Sequence, residues 1–356
     1  MQISLARPSE LGPGEITTWR TMQRQTESLA NPFLSPDFAI AVDNVRSDAR
    51  VAVLADGSEI VGFFPFEQRR FGIAVPIGAG LSDCQGLVHV PTASWDSQEL
   101  LRACKVTAWK LDNLVQGQQP FDRYVDTVIP APVIDLTDGF AAYQKKLCEK
   151  SPQFLKDIAR KARNLARDSG DLRFVVDSRD IAELRILMGW KSAQYRQSRR
   201  SDIFDRPWVV DLIDYLFSIH NEWFDGMLSV LYAGEAPVAA HFGIRSSQVL
   251  SDWFPAYDSR YRKRSPGMIK FLRLAENTAA MGVHTIEMGT GDERYKQTLR
   301  SHDLFLSRGV MGRGPLLASA FRRRGTLASL AHRHIKRYPP VFHTADRLLR
   351  HYGRIG

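Results

Sequence analysis

The stretch AYDSRYRKRSPGMIKFLRLAENTAA, residues 256–280, carries the strongest signal for the fold of this chain. Ser265 is a favoured residue for capping a helix, and Pro266 suits the first helical position because its missing N–H is not needed there. Gly267 then lets a ligand approach the backbone closely. The apolar segment 248–257 just before the turn is typical of a strand. The sequence therefore predicts a strand, a turn and a helix that starts at Pro266.

The start of that predicted helix suits an anion. The first N–H groups of a helix have no partners within it, and the helix dipole adds positive potential. Four basic residues lie just upstream, namely Arg260, Arg262, Lys263 and Arg264. A second apolar strand, 285–288, and a helix that carries Tyr295 and Lys296 follow. This order of elements predicts a site for a ligand with several phosphate groups.

Length and composition indicate a globular protein of two domains. A chain of 356 residues exceeds the size of about 250 to 300 residues at which one core stops growing. Its apolar and charged fractions, 44% and 24%, are ordinary. Because no run of about 18 apolar residues occurs and the first residues lack the apolar core of a signal peptide, we expect a cytoplasmic protein. The three cysteines, Cys84, Cys104 and Cys148, are too few and scattered for a disulfide frame or a zinc site. We therefore expect them to be buried, and we expect no metal site.

The net charge of +9 is concentrated at one end of the chain. Residues 313–356 contain ten Lys and Arg residues and one acid, Asp346, which leaves 38 basic and 38 acidic residues in 1–312. The near-zero charge of residues 1–312 argues against a large nucleic-acid footprint. The basic tail, 313–356, instead suits an anionic membrane surface or a terminal helix with exposed arginines.

Two similar hairpins predict an internal duplication. The first runs from Val51 through a turn at Gly57, and the second runs from Leu228 through a turn at Gly234, 177 residues later. In each half a predicted helix follows, 97–106 or 266–280, and then an apolar strand, 108–115 or 285–288. We interpret this order as two copies of one α/β unit, of which the second alone has the anion-binding helix start.

A basic helical stripe lies between the two copies. Residues 152–168 place Leu155, Ile158 and Leu165 on one helical face and a row of Lys and Arg residues, including Arg160, on another. Such a row is either an ordinary solvated face or one edge of a cleft that attracts acidic groups. Further helices are predicted at 139–147, 178–197 and 207–222, with a strand at 172–176.

At this point the chain resembles the GNAT acyltransferases, and more closely the CelD-type branch associated with bacterial cellulose and exopolysaccharide synthesis. The resembling residues are Ala256, Tyr257, Asp258, Tyr261, Ser265, Pro266, Gly267, Gly289, Gly291, Asp292, Glu293, Tyr295 and Lys296. Further support comes from the basic helix Lys156–Arg167 and from Pro237–Ala240, Asn31–Phe33, Ser82 and Asp83. The resemblance covers most of the chain up to about Gly309.

The resemblance implies an α/β (α+β) fold of tandem GNAT-like domains, each a mixed, mostly antiparallel sheet flanked by helices. We predict an N-terminal domain, 1–134, without a coenzyme A loop, a C-terminal domain, 135–312, with the acyl-CoA site, and the basic tail. Acetyl-CoA or another acyl-CoA is then the expected co-substrate. Its predicted contacts are Tyr261, Arg264, Ser265, Pro266, Gly267, Met268 and Lys296.

Direct acyl transfer needs a base for the nucleophile and an acid for the leaving thiolate. We predict His241 as the base because its ordinary pKa lies nearest the working pH, with Asp252 and Glu287 as carboxylate alternatives. Tyr295 is the predicted acid. The alternative for each of these residues is a role in packing alone. The predicted acceptor contacts are Asp83, Arg160, Trp253, Tyr257 and Asp292.

The function expected from the sequence is acyl transfer, N-acetyl transfer in the first instance, to an amino sugar, a sugar-nucleotide or a lipid-linked sugar in surface polysaccharide assembly. One alternative is a Fem-like transferase that uses aminoacyl-tRNA. Another is a catalytically silent adaptor that docks through its basic tail to a polysaccharide synthase complex or to the inner face of the membrane. No specific nucleic-acid partner is expected for the first of these functions.

Overall fold

A computed structural model describes residues 1–78 and 80–314 of the chain. The basic tail predicted from residue 313 therefore lies almost entirely outside the described residues. The chain forms two compact units. The first unit holds Met1–Gln25, Arg46–Val128 and the described residues from Leu306, and the second holds Thr26–Val45 and Ile129–Phe305. The units thus interleave along the chain, whereas the sequence prediction divides it at single points after 134 and 312.

The secondary structure alternates between strands and helices. The strands of the described residues are β1 (Gln2–Ala6), β2 (Ala49–Asp56), β3 (Glu59–Arg69), β4 (Ile73–Pro76), β5 (Val88–His89), β6 (Ala108–Val115), β7 (Val125–Asp135), β8 (Leu172–Ser178), β9 (Asp225–Ala233), β10 (Ala236–Arg245), β11 (Val249–Tyr257), β12 (Thr285–Glu287) and β13 (His302–Gly312). The helices are α1 (Pro13–Gln25), α2 (Pro36–Val45), α3 (Ser97–Ala103), α4 (Gly139–Lys150), α5 (Pro152–Ser169), α6 (Ile181–Gln197), α7 (Pro207–Ser218), α8 (Pro266–Ala280) and α9 (Arg294–Leu299). Within residues 1–78 and 80–314, no helix is both long enough and apolar enough to cross a bilayer.

In the first unit, β1, β2, β3 and β4 pair in that order and antiparallel. The next pair, β4 with β6, is parallel, and residues 306–312 of β13 pair antiparallel with β6. Its core contains Phe64 and Trp109, whose rings stack with centroids 4.6 Å apart, and Phe66 and Phe121 beside them. Burial of each such side chain contributes about 1.5–3 kcal/mol to folding.

In the second unit, β8, β9, β10 and β11 pair antiparallel in the same way. The pair of β11 with β12 is parallel, and β12 pairs antiparallel with β7 at residues 133–135. This repeats the strand order of the first unit, with α8 at the place that α3 holds there. The predicted mixed α/β fold and its duplication are therefore confirmed.

Helices cover the sheet of the second unit and position its side chains. The apolar face of α8 contributes Phe271, Leu274 and Ala275 to a core that also contains Leu250 and Ile286 from the parallel strands. Helix α5 packs on α8 and on β8 through Ile158 and Leu165, which confirms the predicted apolar face of this helix. Helix α6 packs on β10 and β11, and α2 packs on α7.

Candidate functional site

The parallel strands of the second unit separate soon after they pair. Val249, Leu250 and Ser251 of β11 pair with Thr285, Ile286 and Glu287 of β12, where β12 ends. Strand β11 continues for six more residues, to Tyr257. We call the space beside residues 252–257, on the side where β12 no longer pairs, the strand gap.

The main-chain N–H and C=O groups of alternate residues of β11 point toward the strand gap. In an antiparallel ladder, residue pairs that share main-chain hydrogen bonds alternate with pairs that do not. The Asp258 N–H donates to the Val238 carbonyl of β10 at 3.0 Å, so these two residues form a hydrogen-bonded pair. Pro255, opposite His241, therefore directs its main chain away from β10. Since proline has no N–H, this is a position at which a strand tolerates it. The Pro255 carbonyl accepts a hydrogen bond of 3.1 Å from Lys191 Nζ.

A β-bulge lies at the inner end of the gap. Phe242 pairs with Phe254 and Ile244 pairs with Ser251, so Gly243 alone faces both Asp252 and Trp253. A Cβ on Gly243 would lie 2.3 Å from the Ser251 carbonyl oxygen, so only glycine fits. Bulges leave one residue unpaired and re-aim side chains. This one leaves main-chain groups of Asp252 and Trp253 outside the regular ladder.

The predicted base His241 lies in a fully buried ionisable trio with Asp252 and Lys270. His241 Nε2 lies 3.0 Å from Asp252 Oδ1, Lys270 Nζ lies 3.8 Å from the same oxygen, and all three side chains have no exposed surface. None of their charged or ring atoms makes a hydrogen bond of normal geometry within the described residues. The sequence thus predicted two members of a real cluster and missed Lys270.

Burial and mutual attraction set the charges of this trio. Burial lowers the pKa of His241, against the attraction of Asp252, so the imidazole is neutral. Burial lowers the pKa of Lys270 to about 8, again against the attraction of Asp252. Burial alone would raise the pKa of Asp252, but Lys270 and then His241 hold it below its usual value. The trio therefore carries one carboxylate and one ammonium at neutral pH, sealed from solvent.

Glu287, a predicted alternative base, lies at the apex of the strand gap. It ends β12 opposite Ser251, and its side chain is half-buried. Asn31 Nδ2 donates to Glu287 Oε2 at 2.7 Å and lies 3.5 Å from Ser251 Oγ. Asn31 is held in turn by its Oδ1, which accepts the Phe33 N–H at 2.9 Å. Of the three predicted bases, Glu287 is the one with solvent access.

The start of α8 departs from the predicted cap in one respect. Ser265 has left-handed backbone angles, φ 50° and ψ 50°, and its side chain does not cap the helix. Its Oγ instead accepts a hydrogen bond of 2.8 Å from Lys161 Nζ on α5, while its carbonyl accepts the Met268 N–H at 3.0 Å. The prediction of Ser265 as a side-chain cap was wrong, because the left-handed turn points the hydroxyl toward α5.

Pro266 does open α8 at its first position, as predicted. The Gly267 N–H has no hydrogen-bond partner among the described residues, and a Cβ at Gly267 would make only an ordinary contact, 3.4 Å from Tyr257 Cδ1. Tyr257, Tyr261 and Met268 pack together between α8 and the sheet. The turn and helix start thus leave a free N–H beside half-buried aromatic rings.

Two of the four basic residues of the turn form ion pairs. Arg260 forms a bidentate ion pair with Asp258, and Arg264 pairs with Asp168 of α5. The predicted acceptor contact Arg160 lies on the exposed face of α5, where it pairs with Asp157 at 3.1 Å. The row of basic residues on α5 is exposed, which fits a solvated face as well as a cleft edge.

Lys296 holds the loop after β12 together. Its Nζ donates to the carbonyls of Thr290 at 2.9 Å and Gly289 at 3.4 Å and pairs with Glu293 Oε2 at 3.2 Å. The residue is 6% exposed and its ammonium is engaged by the loop, and its predicted contact with a ligand phosphate stays a prediction. Its ion-pair partner is thus Glu293, and the neighbouring Asp292 is exposed.

The predicted acid Tyr295 and the predicted acceptor contact Trp253 both pack against aromatic rings. Tyr295 is half-buried, with its ring centroid 5.6 Å from that of Phe271 on α8. Trp253 is 8% exposed and lies edge-on to Phe33 at 5.2 Å and to Phe38 of α2 at 6.1 Å. Trp253 is therefore packed among aromatic rings and does not present an open ring face for stacking.

The remaining predicted residues lie elsewhere. Asp83 belongs to the first unit, between β4 and β5, and is half-buried. Cys84 and Cys104 are buried as predicted, but Cys148 on α4 is exposed, so that part of the prediction was wrong.

One group in the described part of the chain has the spacing of a metal site. It consists of Asp177, His220 and Asp225, whose ligand atoms lie within 4.8 Å of one another. The Arg179 guanidinium lies among them, 2.7 Å from Asp177 Oδ2 and 2.9 Å from Asp225 Oδ1, and also contacts His220. The arginine neutralises the two carboxylates at the place where a cation would sit.

Residues 152–297 match the family described as Acetyltransf_6, acetyltransferase (GNAT) domain. This segment contains β11, the turn, α8 and β12, and thus the whole strand gap. It confirms the GNAT part of the predicted resemblance, and the CelD-type branch stays a prediction. No curated protein sequence is significantly similar to this chain.

Several solved structures have a similar fold. The C-terminal domain (DUF2156) of a putative lysylphosphatidylglycerol synthetase from Agrobacterium fabrum matches with TM-score 0.52 and 14% identity, over 89% of this chain and 98% of that one. A conserved protein of unknown function from Bacteroides thetaiotaomicron VPI-5482 matches with TM-score 0.55 and 10% identity, over 86% and 100%. FemX matches with TM-score 0.54 and 9% identity, over 88% and 97%. At these identities the likeness concerns the fold alone.

Proposed function

We propose that this protein is an acyl-CoA-dependent acyltransferase whose site lies in the second unit. The observation that carries the proposal is the strand gap, which opens along β11 directly before the anion-binding start of α8. An extended ligand arm can lie along the unpaired edge of β11 while its phosphates meet the helix start. The match of residues 152–297 to the GNAT domain supports this reading.

The residues at the turn fit the phosphates of acyl-CoA. The Gly267 N–H is free among the described residues, and Lys161 brings an ammonium group to Ser265, 2.8 Å from its hydroxyl. Tyr257 and Tyr261 line the same place with half-buried rings. When bound, acyl-CoA supplies an activated acyl carbonyl as its thioester.

Glu287 is the proposed base. It is half-buried at the apex of the gap, whereas His241 and Asp252 are sealed in the buried trio. A base must reach the proton that it removes, directly or through one water. Glu287, oriented by Asn31, takes the proton of the acceptor, and main-chain N–H groups at the bulge stabilise the negative charge that develops on the carbonyl oxygen.

The proposed acceptor is an amino sugar, free, nucleotide-linked or lipid-linked, in surface polysaccharide assembly, and the first reaction to test is N-acetyl transfer. This choice rests on the CelD-type resemblance of the sequence. Tyr257, which is half-buried, and Asp292, which is exposed, are proposed acceptor contacts.

A thermal melt with and without acetyl-CoA tests the proposal. Ligand at about 100 times its dissociation constant adds about 2.7 kcal/mol to the free energy of unfolding, which gives a clear rise in Tm. Gly267→Asp places a negative charge where the phosphates bind and is expected to abolish the rise. Gly14→Asp is the matched control, since Gly14 also follows a proline at the start of a helix and has open space around it.

The outcomes separate the candidate functions. A rise in the wild type and in Gly14→Asp, but not in Gly267→Asp, supports the site, and amino sugars are then screened as acceptors with Glu287→Gln as the inactive reference. No rise with acetyl-CoA or longer acyl-CoAs overturns the proposal. A transferase that uses aminoacyl-tRNA, or an adaptor that docks through residues 313–356, would then be tested by RNA binding and by vesicle binding of a chain without that tail.

A further inference from the structure

Lys191 reaches the strand gap from helix α6. Its Nζ donates to the Pro255 carbonyl at 3.1 Å, and the main chain of Pro255 faces the gap. Its Nζ also lies 5.6 Å from the ring centroid of Tyr195. Among the described residues the ammonium makes no second hydrogen bond, so two of its three N–H groups are available to a ligand in the gap.

Charged groups on several elements act electrostatically on Lys191. They are Asp252 on β11, Arg200 after α6, and Glu293 and Lys296 in the loop and helix after β12. Behind Asp252 lie His241 and Lys270 of the buried trio.

Burial is the chief cause that lowers the pKa of Lys191, helped by Arg200 and Lys296 and opposed by Asp252 and Glu293. A lysine in this setting releases a proton more readily than an exposed one.

The position of Lys191 along β11 determines which part of a bound ligand it contacts. The phosphate turn follows the C-terminal end of the strand, and the strand runs back from Tyr257 through Pro255 to the bulge at Asp252 and Trp253. A ligand held by its phosphates at the turn passes Pro255 before its reactive end reaches the bulge. If the acyl carbonyl lies at the bulge, the sulfur that precedes it lies beside Lys191. This placement rests on the proposed function.

We propose that Lys191 is the catalytic acid for the leaving sulfur. The acceptor nitrogen forms a bond to the acyl carbon and gives up one proton to Glu287. The bond between that carbon and the sulfur breaks, the sulfur keeps the electron pair, and Lys191 gives the sulfur a proton. The proton on Glu287 is returned to Lys191 through solvent, so the protein is unchanged and the products are an amide and a free thiol.

This assignment differs from the sequence prediction of Tyr295. The ring of Tyr295 packs on Phe271 of α8, whereas the Lys191 ammonium is fixed by a hydrogen bond to the strand that borders the gap. The two residues are on different helices, α9 and α6, and can be replaced separately.

Binding of the product tests the assignment without any acceptor. Titration calorimetry at pH 7, 8 and 9 measures the dissociation constants of coenzyme A and of desulfo-coenzyme A, which lacks the sulfur. An ammonium beside the sulfur favours the thiolate, so wild-type preference for coenzyme A should grow with pH. A thiol pKa lowered by one unit corresponds to a gain of at most about tenfold, which is approached as the pH rises above the ordinary pKa of the thiol.

Three variants make the test specific. Lys191→Met should bind desulfo-coenzyme A like the wild type, which also shows that it folds, and should lose the pH-dependent preference for coenzyme A. Lys191→Arg keeps the positive charge and should keep most of that preference, and Tyr295→Phe should keep all of it. If Lys191→Met retains the preference, or the wild type has none, the assignment is wrong. If the wild type binds neither nucleotide, it is the proposed function that fails.

Discussion

Asn31 Nδ2 donates a hydrogen bond of 2.7 Å to Glu287 Oε2, and so joins two residues that are 256 positions apart in the chain. The other end of the amide accepts the Phe33 N–H, which fixes its orientation. Ser251 and Glu287 form the last pair between β11 and β12. The segment Thr26–Val45 is therefore tied to the point at which the two strands separate.

Replacement of Asn31 should destabilise the protein in two distinguishable ways. Asn31→Ala removes the hydrogen bonds with Glu287 Oε2, Ser251 Oγ and the Phe33 N–H and should lower the free energy of unfolding by about 1–3 kcal/mol. Asn31→Asp keeps the bond to the Phe33 N–H but sets a carboxylate against Glu287, so its deficit relative to the wild type should be larger at pH 8 than at pH 5. Urea unfolding at both pH values measures this, and an Asn31→Asp variant as stable as the wild type at pH 8 would contradict it.

Two glycine substitutions should have opposite effects. Gly243→Ala puts a Cβ 2.3 Å from the Ser251 carbonyl oxygen and should cost about 1–3 kcal/mol, because the bulge must shift. Gly189→Ala, on α6, meets no atom within 4 Å and should add about 0.5–1 kcal/mol through its higher helix propensity. Thermal melts of the two variants should move in opposite directions. A neutral Gly243→Ala would show that the bulge is not rigid.

Lys296 should control the order of the loop after β12. Lys296→Met leaves the carbonyls of Gly289 and Thr290 and the carboxylate of Glu293 without their shared donor, and should cost about 1–3 kcal/mol. Amide exchange in residues 289–293 should accelerate. Lys145→Met is the control, since Lys145 is an exposed lysine on α4 without a described hydrogen bond or ion pair. Equal amide exchange in the two variants would show that Lys296 does not order this loop.

The buried ammonium of Lys270 should give a pH-dependent stability. Its pKa is about 8 in the folded protein and 10.5 in its ordinary state, so the unfolded chain holds more protons between these values. Stability attributable to this group therefore rises with pH across that window, by at most about 1.4 kcal/mol per pH unit. Urea unfolding at pH 7, 8 and 9 should show that the free energy of unfolding of the wild type rises relative to that of Lys270→Met between pH 8 and 9. If the difference in the free energy of unfolding between the two proteins does not change with pH, the pKa of Lys270 is not lowered in the folded protein.

Local signals in the sequence were enough to predict much of the fold. Helix α8, Pro266–Ala280, and strand β6, Ala108–Val115, have the predicted bounds, because proline at a first helical position and apolar runs between polar turns are strong local signals. Helix α3 ends at Ala103 rather than 106, since Lys105 takes a left-handed conformation with φ 55°. Nothing in the residue type foretells that, as lysine seldom adopts it.

The candidate site was only partly predictable, because its unpredicted members depend on contacts distant in the chain. Lysine in a helix is normally exposed, so residue type alone does not predict that Lys270 and Lys191 are buried near Asp252. One signal for Lys270 was present: Leu274 and Thr278 follow it at intervals of four residues, and all three are fully buried on one helical face. The bond between Asn31 and Glu287 had no such periodic signal.

Pro255 has a second consequence, for assembly rather than chemistry. A strand edge with free N–H and C=O groups is a template on which another chain can add a strand. At Pro255 the donor is missing, and the acceptor is occupied by Lys191. The border of β11 that must stay open for a small extended ligand is thus a poor template for a foreign strand, and self-association through this edge is disfavoured.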